Sequence, residues 1–365
     1  MSRVAIMTAP GKPIEIWNLP EPEIEPGGVL LKTLAAEVCG TDVHLWHGKL
    51  AGVPYPLLPG HVSVGEVLQT GGDVFDIEGR PILPGQAVTF LDVHETCHSC
   101  LYCTTWRSPN RCPSRKVYGI TYGANDGLLG GWSEHIYLKP GVLILPLAQN
   151  VTPDQWIGGG CGLPTAVHAI ELARIQLADR VLIQGSGPVG LSACALAVLS
   201  GASWVGVIGA PELRLEAARR FGADWTIDVT QTSPEERLQA VKKATGGHGP
   251  DIVIEASGNP NAVREGCELV RDGGRYVIVG QYTDNGDVSL NPHLHINKKH
   301  LEIRGCWGSD FSHVHRAMQV LSRFGNRMDW TSLISKRYRL EDVEEALKDV
   351  EKLRVVKAVI SSNGL

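Results

Sequence analysis

The chain has 365 residues, 43% of them apolar and 20% charged, with a formal net charge of −5. That length points to two domains and that composition to an ordinary soluble globular protein. The absence of a basic run excludes an electrostatic footprint for nucleic acid, and the start MSRVAIMTAP lacks the layout of a signal peptide, so a cytoplasmic protein with no membrane partner is expected.

Residues 1 to 35 alternate short apolar runs with Pro10-Gly11, Pro20, Pro22 and Pro26-Gly27-Gly28, the pattern of short antiparallel strands. Val29 to Leu34 and Val62 to Leu68 read as strands of this β-rich domain, and Pro84 to Val88 as a turn entering another. Cys97, Cys100 and Cys103 follow one another at two-residue gaps, with Cys112 after a loop. Four thiolates at this spacing surround one Zn²⁺ and leave no position for substrate, so the expected role is structural. The competing reading is a redox-active C-x-x-C pair, which leaves two of the four cysteines unexplained. His94 and His98 lie nearby and read as loop histidines. Nine cysteines are an odd number, and the clustering of four favours thiolates in a reducing compartment over a disulfide framework.

Val181 to Ile183 form a buried-strand run, and Gly185-Ser186-Gly187-Pro188-Val189-Gly190 then supplies G-x-G-x-x-G where strand gives way to helix. Gly185 permits the sharp turn, Gly187 lets backbone approach a pyrophosphate, and Gly190 allows close helix–strand packing, which together make a dinucleotide site for NAD or NADP. Trp204 to Ile208, a charged helix Glu212 to Phe221, Ile252 to Glu255 and Tyr276 to Val279 continue the alternation of a doubly wound parallel sheet. A transmembrane reading of 181 to 210 conflicts with the internal Gly, Pro and Ser.

Cys39-Gly40-Thr41-Asp42-Val43-His44, Gly60-His61 and Gly160-Cys161-Gly162 are unremarkable singly. Taken with the four-cysteine lobe and the glycine turn, they resemble the zinc-dependent medium-chain alcohol dehydrogenases over nearly the whole chain. The resemblance implies an α/β protein: a Rossmann domain, 162–306, inserted in a GroES-like catalytic domain made of 1–161, with a zinc lobe about 94–115, and a C-terminal return, 307–365. It puts Cys39, His61 and Cys161 at the ligand positions of a catalytic zinc, so that two zinc ions per chain are expected. It puts Asp42 behind His61, Thr41 at the hydroxyl that passes the substrate proton and His44 at the end of that relay. Thr165 and Val189 match positions lining the nicotinamide, and Lys357 a basic position near the pyrophosphate. A homo-oligomer, dimer or tetramer, is expected.

The chemistry follows from the residue types. Two thiolates and a neutral imidazole balance Zn²⁺ and leave a fourth position where an alcohol oxygen loses its proton near neutral pH. The expected reaction is hydride transfer between an alcohol, or its aldehyde or ketone, and the nicotinamide. Competing readings are a reductase of an activated C=C or C=N bond, which the presence of Thr41 and His44 disfavours, and a non-catalytic zinc-stabilised dinucleotide-binding protein. Trp46, Val93 and Trp307 are candidates for lining the substrate pocket. The chain departs from the family pattern at Val62, where Glu usually follows the histidine, and at Gly209, where an acidic residue usually ends the second Rossmann strand. One extra residue separates Cys103 from Cys112. With no acid at 209, and with Arg214 on the first turn of the next helix, weak discrimination against NADP is expected, and an Asp at 209 is expected to favour NAD.

Overall fold

The computed structural model describes residues 1–363. The chain forms two compact units, one of residues 1–160 with the segment from Asp310 onward, the other of residues 161–309. Among the described residues no helix is long and apolar enough to cross a membrane.

The first unit opens with the antiparallel strands Ser2–Met7 and Ile14–Leu19, paired from Ser2↔Leu19 to Met7↔Ile14 around the Pro10-Gly11 turn. Its spine is the ten-residue strand Val29–Val38, which carries on past Leu34 because Ala35, Ala36 and Val38 are still apolar enough to bury. One edge of that strand pairs with Ser63–Thr70. The other is shared, residues 29–32 pairing with His135–Leu138 and residues 36–38 with Lys357–Ile360. The last of these brings the C-terminal segment into the seven-stranded sheet. Leu31, Leu57, Tyr118 and Trp132 are fully buried in the core this sheet covers, each large apolar side chain contributing roughly 1.5–3 kcal/mol by leaving water.

The second unit is a six-stranded parallel sheet in the order Trp225–Asp228, Trp204–Gly209, Arg180–Gln184, Ile252–Glu255, Arg275–Ile278, Glu302–Gly305. The chain runs outward from Arg180–Gln184 to one edge and then returns to build the other half. The carboxyl end of Arg180–Gln184 therefore lies at the reversal point, where parallel sheets open a crevice for ligands. Helices start where the sequence allows them: Pro188–Leu199, Pro234–Ala244 and Pro260–Leu269 all carry proline in the first turn, where no N–H is needed. The apolar runs at 181–183, 204–208 and 252–255 all lie in this sheet, which is the doubly wound arrangement their alternation with helices implied.

Candidate active site and metal centres

Cys97, Cys100, Cys103 and Cys112 come together in the first unit, their sulfurs within 4.8 Å of one another. Cys100 and Cys103 are 3.6 Å apart, Cys112 and Cys97 3.6 Å, and Cys100 and Cys112 4.0 Å. A disulfide needs about 2.0 Å, and all four are free thiols. Tetrahedral Zn²⁺ with Zn–S near 2.3 Å requires sulfurs about 3.8 Å apart, so the set fits the metal. The N–H groups of Cys97 and Cys100 donate to the Cys112 and Cys97 sulfurs. Donors from Ser99 and Cys100 pull Cys97 down to about 5, while burial among the other sulfurs pushes Cys103 up. His94 is outside the group, bonded to Tyr122 at 2.9 Å and to the Pro140 carbonyl at 3.1 Å, and His98 lies 3.2 Å from Thr96.

The second constellation starts at the short helix Gly40–Trp46, which Cys39 caps: the Thr41 N–H donates to Cys39 Sγ at 3.3 Å, and the Cys39 N–H donates to Asp42 Oδ2 at 2.8 Å. This turn holds the Cys39 thiol 4.0 Å from His61 Nε2. Behind the ring, Asp42 Oδ1 lies 3.9 Å from His61 Nδ1, and both atoms are buried without another hydrogen-bond partner. Burial pushes Asp42 up to about 6, with the Cys39 sulfur adding to it. Burial also pushes His61 down, but Cys39 and Asp42 outweigh it and hold the ring well above the usual histidine value. A field that favours a proton here favours a metal cation as well, and a thiol and an imidazole are the donors Zn²⁺ takes. Thr41 and His44 stand on the same helix, both half-buried. Burial, with Lys49 and His47 nearby, lowers the pKa of His44. Cys161 follows Gly160, the last residue of this stretch of the first unit. Val62 is half-buried, and its carbonyl accepts from the Glu37 N–H at 3.0 Å.

Lys357 has a partner within the first unit. Its side chain is fully buried there, with Nζ 2.6 Å from Glu37 Oε1. Glu37 was not legible as a site residue. Its sole signal is a carboxylate in the otherwise apolar run 34–38, two positions before Cys39. Trp46 and Trp307 give their indole N–H groups to the carbonyls of Lys12 and Tyr282, and Trp307 is exposed.

In the second unit, the turn after Arg180–Gln184 delivers Gly187 as N-cap of Pro188–Leu199. A Cβ at Gly190 would run into the Gly185 carbonyl, so the helix lies against the turn only because 190 is glycine. At Gly187 an added Cβ would meet nothing nearer than Arg214 Nη1, at 3.9 Å, leaving bare backbone N–H open to an anion at a helix N-terminus. Arg214 is 8% exposed, on the first turn of Glu212–Arg220, and burial lowers it to about 10, still protonated at neutral pH. Gly209 ends its strand beside Ser186, whose hydroxyl accepts from Ala210 N at 3.1 Å and donates to Ala210 O at 3.2 Å. Val189 is half-buried, and Thr165 turns its hydroxyl inward to the Cys161 carbonyl at 2.8 Å.

The alcohol dehydrogenase GroES-like domain profile matches residues 25–148, and the zinc-binding dehydrogenase profile residues 188–323. The chain is 31% identical over 363 residues to 5-exo-hydroxycamphor dehydrogenase of Pseudomonas putida, covering 99% of both chains. It superposes on an alcohol dehydrogenase of Thermotoga maritima with a TM-score of 0.93, 32% identity and 99% of each chain covered. A Sinorhizobium meliloti protein solved bound to NADP matches with a TM-score of 0.86, 25% identity and the same coverage. The chain belongs to the zinc-dependent medium-chain dehydrogenase/reductase family, oxidoreductases that move hydride between an alcohol and a nicotinamide cofactor.

Proposed function

We propose that the chain binds two zinc ions in unequal roles and interconverts a secondary alcohol and its ketone, using NADP at least as readily as NAD. The observation that carries this reading is the Cys39–His61 pair, 4.0 Å apart, with Asp42 facing the far nitrogen of the ring. Cys161, one peptide bond beyond Gly160, would be the third donor, and Cys97, Cys100, Cys103 and Cys112 would hold the structural ion.

When bound, zinc supplies a Lewis acid that makes an alcohol proton easy to lose, and the nicotinamide supplies the hydride acceptor. The chain's own residues do the rest. Asp42 orients His61 so that Nε2 faces Cys39. Thr41 Oγ1 accepts the substrate proton and gives up its own toward His44. His44 takes it at Nε2, since Nδ1 is buried, and its lowered pKa keeps the ring neutral and ready to accept. Thr165 and Val189 would line the nicotinamide, and the open backbone at Gly187 would receive the pyrophosphate.

The absence of an acidic side chain at 209 and the nearness of Arg214 to Gly187 support use of NADP, as does the Sinorhizobium relative solved with it. Nine cysteines with none in a disulfide suit a reducing, cytoplasmic compartment. Glu302–Gly305 ends the parallel sheet with an open edge for a second copy, in keeping with a dimer or tetramer. The test is cofactor reduction over a panel of alcohols that includes 5-exo-hydroxycamphor, with each cofactor, alongside metal content. Two zincs per chain and turnover of a secondary alcohol are expected. Metal and cofactor binding without turnover of any alcohol or ketone would assign the chain to a non-catalytic role.

A further inference from the structure

Glu37 and Lys357 are 320 positions apart and form a buried ion pair at 2.6 Å, the carboxylate side chain 1% exposed and the ammonium side chain 0%. Such a pair gives little net stability over apolar residues of the same volume, because the cost of taking both charges out of water offsets their attraction. Its surroundings suggest what it does instead. Glu37 stands two residues before Cys39, at the end of Val29–Val38. Its N–H donates to the carbonyl of Val62, the residue after His61, and its own carbonyl accepts from Trp132 Nε1 at 3.1 Å. Gly160, one residue before Cys161, lies directly on the pair: a Cβ there would overlap both Glu37 Oε2 and Lys357 Nζ. The segments that carry all three proposed ligands of the catalytic zinc therefore meet at one residue. Charge is balanced as well. Two thiolates neutralise Zn²⁺, so a bare carboxylate would leave the centre negative, and Lys357 cancels it.

We propose that the Glu37–Lys357 pair is a positioning clamp that sets the spacing of the Cys39, His61 and Cys161 segments and thereby the retention of the metal they hold. The proposal rests on the assignment of those three residues as zinc ligands. Lys357 acts in it as counter-ion to Glu37 and as a wall behind Gly160, not as a cofactor contact.

The test compares wild type, Glu37→Asp, Glu37→Gln, and Glu37→Gln with Lys357→Met, the last removing both charges so that neither is buried alone. Zinc release to a chromogenic chelator is followed by stopped flow, and the ligand-field spectrum is recorded after cobalt(II) replaces the metal. Wild type should release two metals in two phases. The variants should release the catalytic metal about 10- to 100-fold faster, the range for residues that orient ligands, with the structural phase unchanged and the cobalt spectrum altered. Glu37→Asp should fall between wild type and Glu37→Gln. Release at the wild-type rate with an unaltered spectrum in the doubly substituted protein overturns the clamp, and so does loss of fold in all three variants, which would make the pair a determinant of the domain rather than of the metal. Wild type that binds only one metal would instead refute the ligand assignment.

Discussion

The Ser186 side chain fills the space that any side chain at position 209 would enter: a Cβ built on Gly209 overlaps both Ser186 Oγ and Ser186 Cβ. Two hydrogen bonds to Ala210 hold the serine there. An acid at 209 therefore cannot simply be added to bind a ribose, contrary to what the sequence pattern implies. Gly209→Asp alone is expected to cost about 1–3 kcal/mol by overpacking and to weaken both cofactors. Adding Ser186→Gly should restore stability and turn preference toward NAD. Melting temperatures and kcat/KM ratios for the two cofactors check this. A single Gly209→Asp that prefers NAD with an unchanged Tm would show that Ser186 swings aside freely.

Arg214 supplies the cation on the other side of the turn. Its guanidinium is buried next to Gly187, and burial lowers its pKa to about 10, so it stays protonated at neutral pH and can meet a phosphate as a cation. Losing one charge-assisted hydrogen bond is worth about 1.5–3 kcal/mol. Arg214→Ala should thus lower kcat/KM for NADP by roughly 10- to 100-fold while leaving NAD within a few-fold. Equal losses for the two cofactors would assign Arg214 to packing of the turn.

The strands in the middle of the parallel sheet were legible because both of their faces are buried. Ile252–Glu255 is buried at every position, and an apolar run with a clean boundary announces it. Trp225–Asp228 and Glu302–Gly305, at the two ends of the same sheet, were not anticipated. With one neighbour each and partial exposure, they tolerate Thr, Asp, Glu and Arg, and no periodicity survives. The proposed metal ligands were legible from local cysteine spacing and joint motifs. The Glu37–Lys357 pair was not, since nothing local couples residues at opposite ends of the chain. Ser186 was read only as a spacer in the glycine motif, because its conflict with position 209 exists only once strands Arg180–Gln184 and Trp204–Gly209 lie side by side.

Loss of the two sulfur sets should have different consequences. The four-cysteine lobe contains the helix Leu101–Thr104, with no buried residue, and the two-residue strands Val93–His94 and Lys116–Val117. With so little core of its own, it would depend on metal–thiolate bonds for folding free energy. Cys100→Ser should lower folded yield and Tm and release one zinc. Cys161→Ser should leave a folded protein that retains one zinc and has little activity. Circular dichroism, metal content and turnover separate the two, and an equal loss of fold in both variants would contradict the division of roles.

The proton relay predicts a pH signature of its own. Burial lowers the His44 pKa, so the ring stays neutral to a lower pH than the usual value of about 6.5. A folded pKa below the unfolded one means that the neutral ring's contribution to stability is present above about pH 6.5 and is lost as pH falls through the lowered folded value. In the proposed relay, activity follows the same sign in the direction of alcohol oxidation, where His44 would accept a proton. Its contribution should hold down to pH 6.5 and fall only below that. His44→Gln should remove this acid limb and slow oxidation on the order of 100-fold, the lower end of what a positioned acid–base group supplies. Thr41→Ala should slow turnover similarly while keeping zinc, and Thr41→Ser should retain much of the rate, because the hydroxyl carries the proton. The measurement is kcat for alcohol oxidation from pH 5.5 to 10 in the wild type and the three variants, with Tm recorded at each pH to separate unfolding from loss of relay. An acid limb that persists unchanged in His44→Gln would place the titrating group elsewhere. Wild-type turnover by Thr41→Ala across the range would remove Thr41 from the path.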